Sequence, residues 1–149
     1  MPDEKGQNGW RLRTGRVSIP GQIYSITIVT HGRWSGLVNW DVARRVIDCL
    51  RETEGPGGTE TPAFCLMPDH LHWLMRLAPS GDLSCVVGRF KGRSARAVPM
   101  LRWQRGFHDH AVRHDEELPQ VARYIVANPV RAGLVQRVGE YPYWDAVWL

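Results

Sequence analysis

The stretch PAFCLMPDHLHWLMRL, residues 62–77, decides how the chain is read. Two apolar runs, 62–67 and 70–77, flank a Pro68-Asp69 pair suited to a tight turn. The pattern predicts an antiparallel hairpin. On a strand, residues two apart share a face, so His70 and His72 stand side by side while Leu71 and Trp73 point the other way.

Working outward, residues 23–30 (IYSITIVT) are β-branched and predict a strand, followed by a loop at HGRWSG. From Asn39, a suitable N-cap, Trp40, Ala43, Val46, Ile47 and Leu50 recur at helical spacing until GPGG at 55–58 stops the run. A second helix starts at Ser80 or Asp82 and presents Leu83, Val86, Val87, Phe90 and Ala97 on one face. Strand character returns around 107–112. A third helix covers roughly 116–127, with Pro119 in its first turn and Pro129 as its stop. The order strand, helix, strand, strand, helix, strand, helix predicts an α+β fold. It is a ferredoxin-like split βαβ sandwich: an antiparallel sheet, helices on one face, and the histidines on a central strand. Residues 1–20 are polar and rich in Gly and Pro, and read as a basic arm. Residues 21–149 form one domain.

The composition is that of an ordinary globular protein: 149 residues, 43% apolar and 23% charged. Cys49, Cys65 and Cys85 show no CxxC spacing, which argues against a disulfide framework or zinc knuckle and suits small buried side chains. No signal peptide and no membrane-length apolar run are visible, so the expected location is cytoplasmic, with no membrane partner. No P-loop or other nucleotide motif occurs. Of the 19 basic residues in a chain of net charge +4, all but Lys5 and Lys91 are arginine, whose planar fork matches phosphate.

Paired imidazoles are common ligands for divalent metals, and two ligands leave positions open for a substrate. A bare His-x-His is equally the mark of two half-buried, hydrogen-bonded side chains, and His108-x-His110 repeats the pattern. In RYIVANP, Tyr124 and Asn128 lie one helical turn apart, so an amide oxygen and a phenol share a face. A surface tyrosine followed by a helix-ending asparagine would read the same way.

Taken together, MPDHLHWLM, FKG, WQRGFHDHAVR, YIVANPVRAGLV and YPYWDAVW resemble the REP-associated tyrosine transposases. These are relatives of the single-tyrosine insertion-sequence transposases within the HUH endonucleases. The resemblance spans roughly residues 10–149. It implies that His70 and His72 bind a divalent metal, Mg²⁺ or Mn²⁺, that Asn128 is a third ligand, and that Tyr124 is the nucleophile. It further implies single-stranded DNA nicking and strand transfer at a hairpin-bearing repeat, through a 5′-phosphotyrosine. Relatives act as monomers or as homodimers.

A DNA-binding surface is also legible. Arg89, Lys91, Arg93, Arg96, Arg102, Arg105 and Arg113 stand against Asp109 alone between Val86 and Arg113. Arg89, Arg93 and Arg96 share one helical face. Arg11, Arg13 and Arg16 form the arm's cluster, and His110 is a further candidate near the chemistry. Trp34, Trp103 or Phe107 could stack on unpaired bases, although most of the tryptophans suit a core. Two alternatives stand beside this reading: a non-cleaving binder of DNA or RNA hairpins, and a metal phosphoesterase that uses water and ignores Tyr124.

Overall fold

A computed structural model describes residues 21–55, 58–113 and 117–147. The arm expected over 1–20, with Arg11, Arg13 and Arg16, lies outside the described residues. Five strands form one antiparallel sheet: β1 (Ile23–Val29), β2 (Glu60–Leu66), β3 (His70–Arg76), β4 (His108–Val112) and β5 (Trp144–Ala146). Their spatial order is β4-β1-β3-β2-β5, so the histidine strand is central. The first four strands have the order of a split βαβ fold, and β5 is an addition at the β2 edge.

Asn39 caps α1 (Trp40–Arg51) by accepting from the backbone N–H of Asp41 and Val42. Asp82 caps α2 (Leu83–Ala97) by accepting from Cys85 N. Such caps stabilise a helix by about 1 kcal/mol each. Ala43, Val46, Cys49 and Leu50 of α1 and Leu83, Val86, Val87 and Phe90 of α2 are buried. They cover the sheet face that carries Ile26, Ile28, Leu71 and Trp73. Phe90 meets Trp73 at 5.4 Å between ring centroids, and Arg51 lies over Phe64 of β2. Truncating Trp73, which is fully buried, to alanine would cost about 3–5 kcal/mol.

The register places the histidines on the opposite face. His72 pairs with Thr27 of β1 and Cys65 of β2, and Leu74 pairs with Ser25 and Ala63, so all six share that face. There Leu74, Cys65, Ala63 and Ala146 are buried beneath α3 (Leu118–Val126), which packs on β2, β3 and β5. The expectation of helices on one face therefore holds for α1 and α2 and fails for α3. An amphipathic helix states that it buries a stripe, but not on which side of a sheet.

Two further differences concern the C-terminal third. The third helix stops at Val126, and a separate turn, α4 (Asn128–Arg131), starts at Asn128 with Pro129 in its first turn. Asn128 thus opens a new turn instead of closing the old one. The segment after α4 fastens the β2 edge: Tyr141 Oη donates to Leu66 O (2.5 Å), and Leu66 N donates to Tyr143 O (2.8 Å). Of the cysteines, Cys49 and Cys65 are buried as expected. Cys85 is exposed, because its position in the first turn of α2 faces away from the sheet.

Candidate active site

At the start of β3 the two imidazoles converge. His70 Nε2 and His72 Nε2 are 3.0 Å apart, with rings nearly perpendicular. Behind them, His70 Nδ1 lies 2.6 Å from Asp69 Oδ1 and His72 Nδ1 lies 3.2 Å from Thr27 Oγ1. A carboxylate accepts only, so Asp69 places a proton on His70 Nδ1 and leaves Nε2 as the site-facing lone pair. Thr27 can donate or accept, so it suits either tautomer of His72. Burial, with the charges of His70 and Arg131, pushes the His72 pKa down to about 4. Its imidazole is therefore neutral near pH 7.

This pair fits a small divalent cation. Two nitrogens each about 2.1 Å from a shared ion, at tetrahedral or octahedral angles, stand about 3.0–3.4 Å apart. Partners behind the ring, like Asp69 and Thr27, are what orient histidine ligands in metal sites. Beside His72 on β2, burial pushes the Cys65 thiol up to about 12, so it remains a neutral apolar filler.

The junction of α3 and α4 carries a second cluster. Arg131 Nη2 donates to Asn128 Oδ1 at 2.7 Å, and the Arg131 guanidinium lies 3.7 Å from the centroid of the Tyr124 ring. Tyr124 is 66% exposed. Asn128 Nδ2 is buried without a hydrogen-bond partner, an amide end that its surroundings leave unanswered. The charge of Arg131 reaches both His72 and Cys65, which ties this cluster to the histidine face.

The expected DNA-contacting residues separate into groups. Arg89, Arg93 and Arg96 are exposed on the outer face of α2, and Arg93 also pairs with Glu52 at 3.6 Å. Because α2 covers the Trp73 face, these three lie across the sheet from the histidines. Lys91 departs from expectation. Its ammonium donates to Gln104 O and Gly106 O, and burial lowers its pKa to about 8, so it ties α2 to the loop before β4. Arg102, Arg105 and Arg113 are exposed on either side of β4. His31 N donates to Arg102 O, while Thr30 N donates to Asp69 O, so Arg102 sits near the His70 end of the sheet.

His108 and His110 pair with Thr27 and Ser25, which puts them, exposed, on the His72 face. With β1 between them and β3, they stand roughly 10 Å away, beyond ligand or proton-transfer contact with the pair. Trp103 and Trp34 belong to the packing: Trp103 Nε1 donates to Ser94 Oγ at 2.9 Å, and the Trp34 ring closes over Gly36. A cleft of about 870 Å³ lies at the far end of β3, lined by Arg76, Leu77 and Thr61, and the histidines are not part of it. The pair is half-buried on the sheet face that α3 partly covers. Asp69, Thr27 and Arg131 went unassigned in the sequence. Only the position of Asp69 next to His70 was a signal.

Comparison with known proteins agrees with this architecture. Residues 18–128 match the family described as transposase IS200 like, and the chain belongs to it. A Haemophilus influenzae protein classed as a REP-associated tyrosine transposase is 30% identical over 139 residues, covering 83% of this chain and 78% of that protein. The REP-associated tyrosine transposase of Escherichia coli is 31% identical over 87 residues, 56% of this chain and 52% of that one. The solved structure of a REP-associated tyrosine transposase bound to a REP hairpin superposes with a TM-score of 0.71 at 25% identity, covering 87% of this chain and 79% of that chain. The chain is a DNA-processing transposase of the REP-associated tyrosine group. Among the described residues, no helix is long and apolar enough to cross a membrane.

Proposed function

We propose that this protein nicks and rejoins single-stranded DNA beside a REP-like hairpin, with Tyr124 as nucleophile and a divalent cation held by His70, His72 and Asn128. The observation that carries the reading is the 3.0 Å approach of the two Nε2 atoms, backed by Asp69 and Thr27. Membership of the transposase family, and a similar structure bound to a REP hairpin, support the substrate class.

In this reading, the exposed Tyr124 hydroxyl attacks a backbone phosphorus. The new bond is Oη–P, and the bond that breaks is P–O3′. The phenol loses its proton, the leaving 3′ oxygen gains one, and the products are a 5′-phosphotyrosine and a free 3′-hydroxyl. Bond energy is retained, so a second 3′-hydroxyl can attack the phosphotyrosine and reseal the strand without a nucleotide cofactor. A phenol is a weak nucleophile without help. The cation would stabilise charge on the phosphate and the leaving oxygen. The protein's part is to keep His72 neutral, to aim both imidazoles, and to present Tyr124 to solvent. Exposed Arg102, Arg105, Arg113 and His110 flank the path along β4 and would contact the backbone, while Arg89, Arg93 and Arg96 would serve a part of the hairpin that reaches round to α2.

The test is cleavage of a hairpin-bearing single strand. Activity is expected to vanish in chelator and to return with Mn²⁺ or Mg²⁺, with less Mn²⁺ required because imidazole favours it. His70→Ala and His72→Ala should abolish it while the protein stays folded. Metal-independent cleavage would contradict the reading, and hairpin binding with no cleavage under any ion would favour a non-cleaving binder.

A further inference from the structure

We propose that Arg131 is a positioning residue with two opposed duties: it steadies the Tyr124 ring for attack, and it yields Asn128 Oδ1 to the divalent cation. The inference rests on the assignment of Asn128 as a ligand made above. The geometry is specific. One guanidinium stacks on the Tyr124 ring at 3.7 Å and at the same time donates to Asn128 Oδ1 at 2.7 Å. Both contacts follow from spacing: Tyr124, Asn128 and Arg131 stand at i, i+4 and i+7, and Ala127 between α3 and α4 keeps right-handed helical dihedrals, so the three share one face.

An asparagine amide has one oxygen. Here that oxygen faces Arg131, while the nitrogen end is turned into the protein and lacks a partner. A cation on the outer side of the amide would share its oxygen with a guanidinium. A cation on the inner side would require the amide to turn over, and Arg131 would then face an NH₂ group that cannot accept. In both cases a positive side chain stands against a positive ion at one small group. Removing Arg131 should therefore help the cation and harm the nucleophile. A residue that merely supported the fold would weaken both.

The experiment measures Mn²⁺ binding by calorimetry on the full chain, together with the cleavage rate constant at saturating Mn²⁺. It covers the parent, Arg131→Ala, Arg131→Lys, Arg131→Gln and His70→Ala, each with a melting curve. Arg131→Ala and Arg131→Gln are expected to bind Mn²⁺ about three- to tenfold more tightly than the parent, the size of one partly exposed charge contact. Their cleavage rate constant should fall by at least about tenfold, because a freely rotating phenol is rarely aligned. Arg131→Lys keeps the charge and loses the planar stack, so its Mn²⁺ affinity should stay near the parent's while its rate falls. Unchanged or weaker Mn²⁺ binding in both neutral variants would overturn the proposal and leave the proposed function standing. If the parent shows no Mn²⁺ binding that His70→Ala removes, both fall.

Discussion

The carboxylate of Asp69 lies 2.6 Å from His70 Nδ1 and fixes which nitrogen of that imidazole faces the site. Asp69 also stands 3.6 Å from exposed Arg33, and its backbone oxygen accepts from Thr30, so the turn that carries it is held independently of its side chain. Asp69→Ala is therefore expected to leave the melting temperature nearly unchanged and to weaken divalent-cation binding by about 10–100-fold, the usual effect of losing a group that orients a histidine ligand. Calorimetric Mn²⁺ titration of the folded variant checks this. Parent-like affinity would show that His70 needs no orienting partner.

Stability should respond to pH through His72. The fold lowers its pKa from 6.5 to about 4, chiefly by burial, so folding favours the neutral ring. Between those values the unfolded chain binds the proton and the folded chain does not. The contribution is complete above pH 6.5 and is lost as pH falls to about 4. Urea denaturation in chelator across this window should show a steeper loss of stability for the parent than for His72→Gln, which cannot titrate. Identical profiles would mean that His72 is freely protonated in the folded protein.

Arg89, Arg93 and Arg96 offer a test of how far the DNA contact extends. Replacing all three with glutamine should make the plot of log affinity against log salt shallower by up to about 2.7, one released counterion per lost phosphate contact. Cleavage at saturating DNA should be retained, because these residues lie across the sheet from the histidines. An unchanged slope would show that the outer face of α2 is only solvated.

The sequence exposed the hairpin, both capped helices and the histidine pair, because each is written in local pattern: alternation, a cap directly ahead of a helical stripe, a turn at Pro68-Asp69. β5 escaped notice because three residues, Trp144–Ala146, carry no period, and their strand state comes from pairing with distant β2. Lys91 read as a phosphate contact because its carbonyl partners, Gln104 and Gly106, belong to a loop whose path only the fold defines. Arg131 was invisible for a related reason. An arginine after Asn-Pro reads as surface charge, and its seat on the Tyr124 ring is seen only in the fold. Tyr124 and Asn128 were picked out by their spacing. The residue that joins them was not.

The most direct measurement concerns Tyr124 itself. A single-stranded DNA carrying a REP-like hairpin, labelled at its 3′ end, is incubated with the protein and Mn²⁺, then denatured and run on a protein gel. The downstream fragment should stay covalently attached, so label should travel with the parent protein and be absent from the band of Tyr124→Phe, while hairpin binding by the two proteins stays within about twofold, because only one hydroxyl differs. Cleavage by the parent with no label on the protein, or the same adduct in Tyr124→Phe, would contradict a Tyr124 nucleophile.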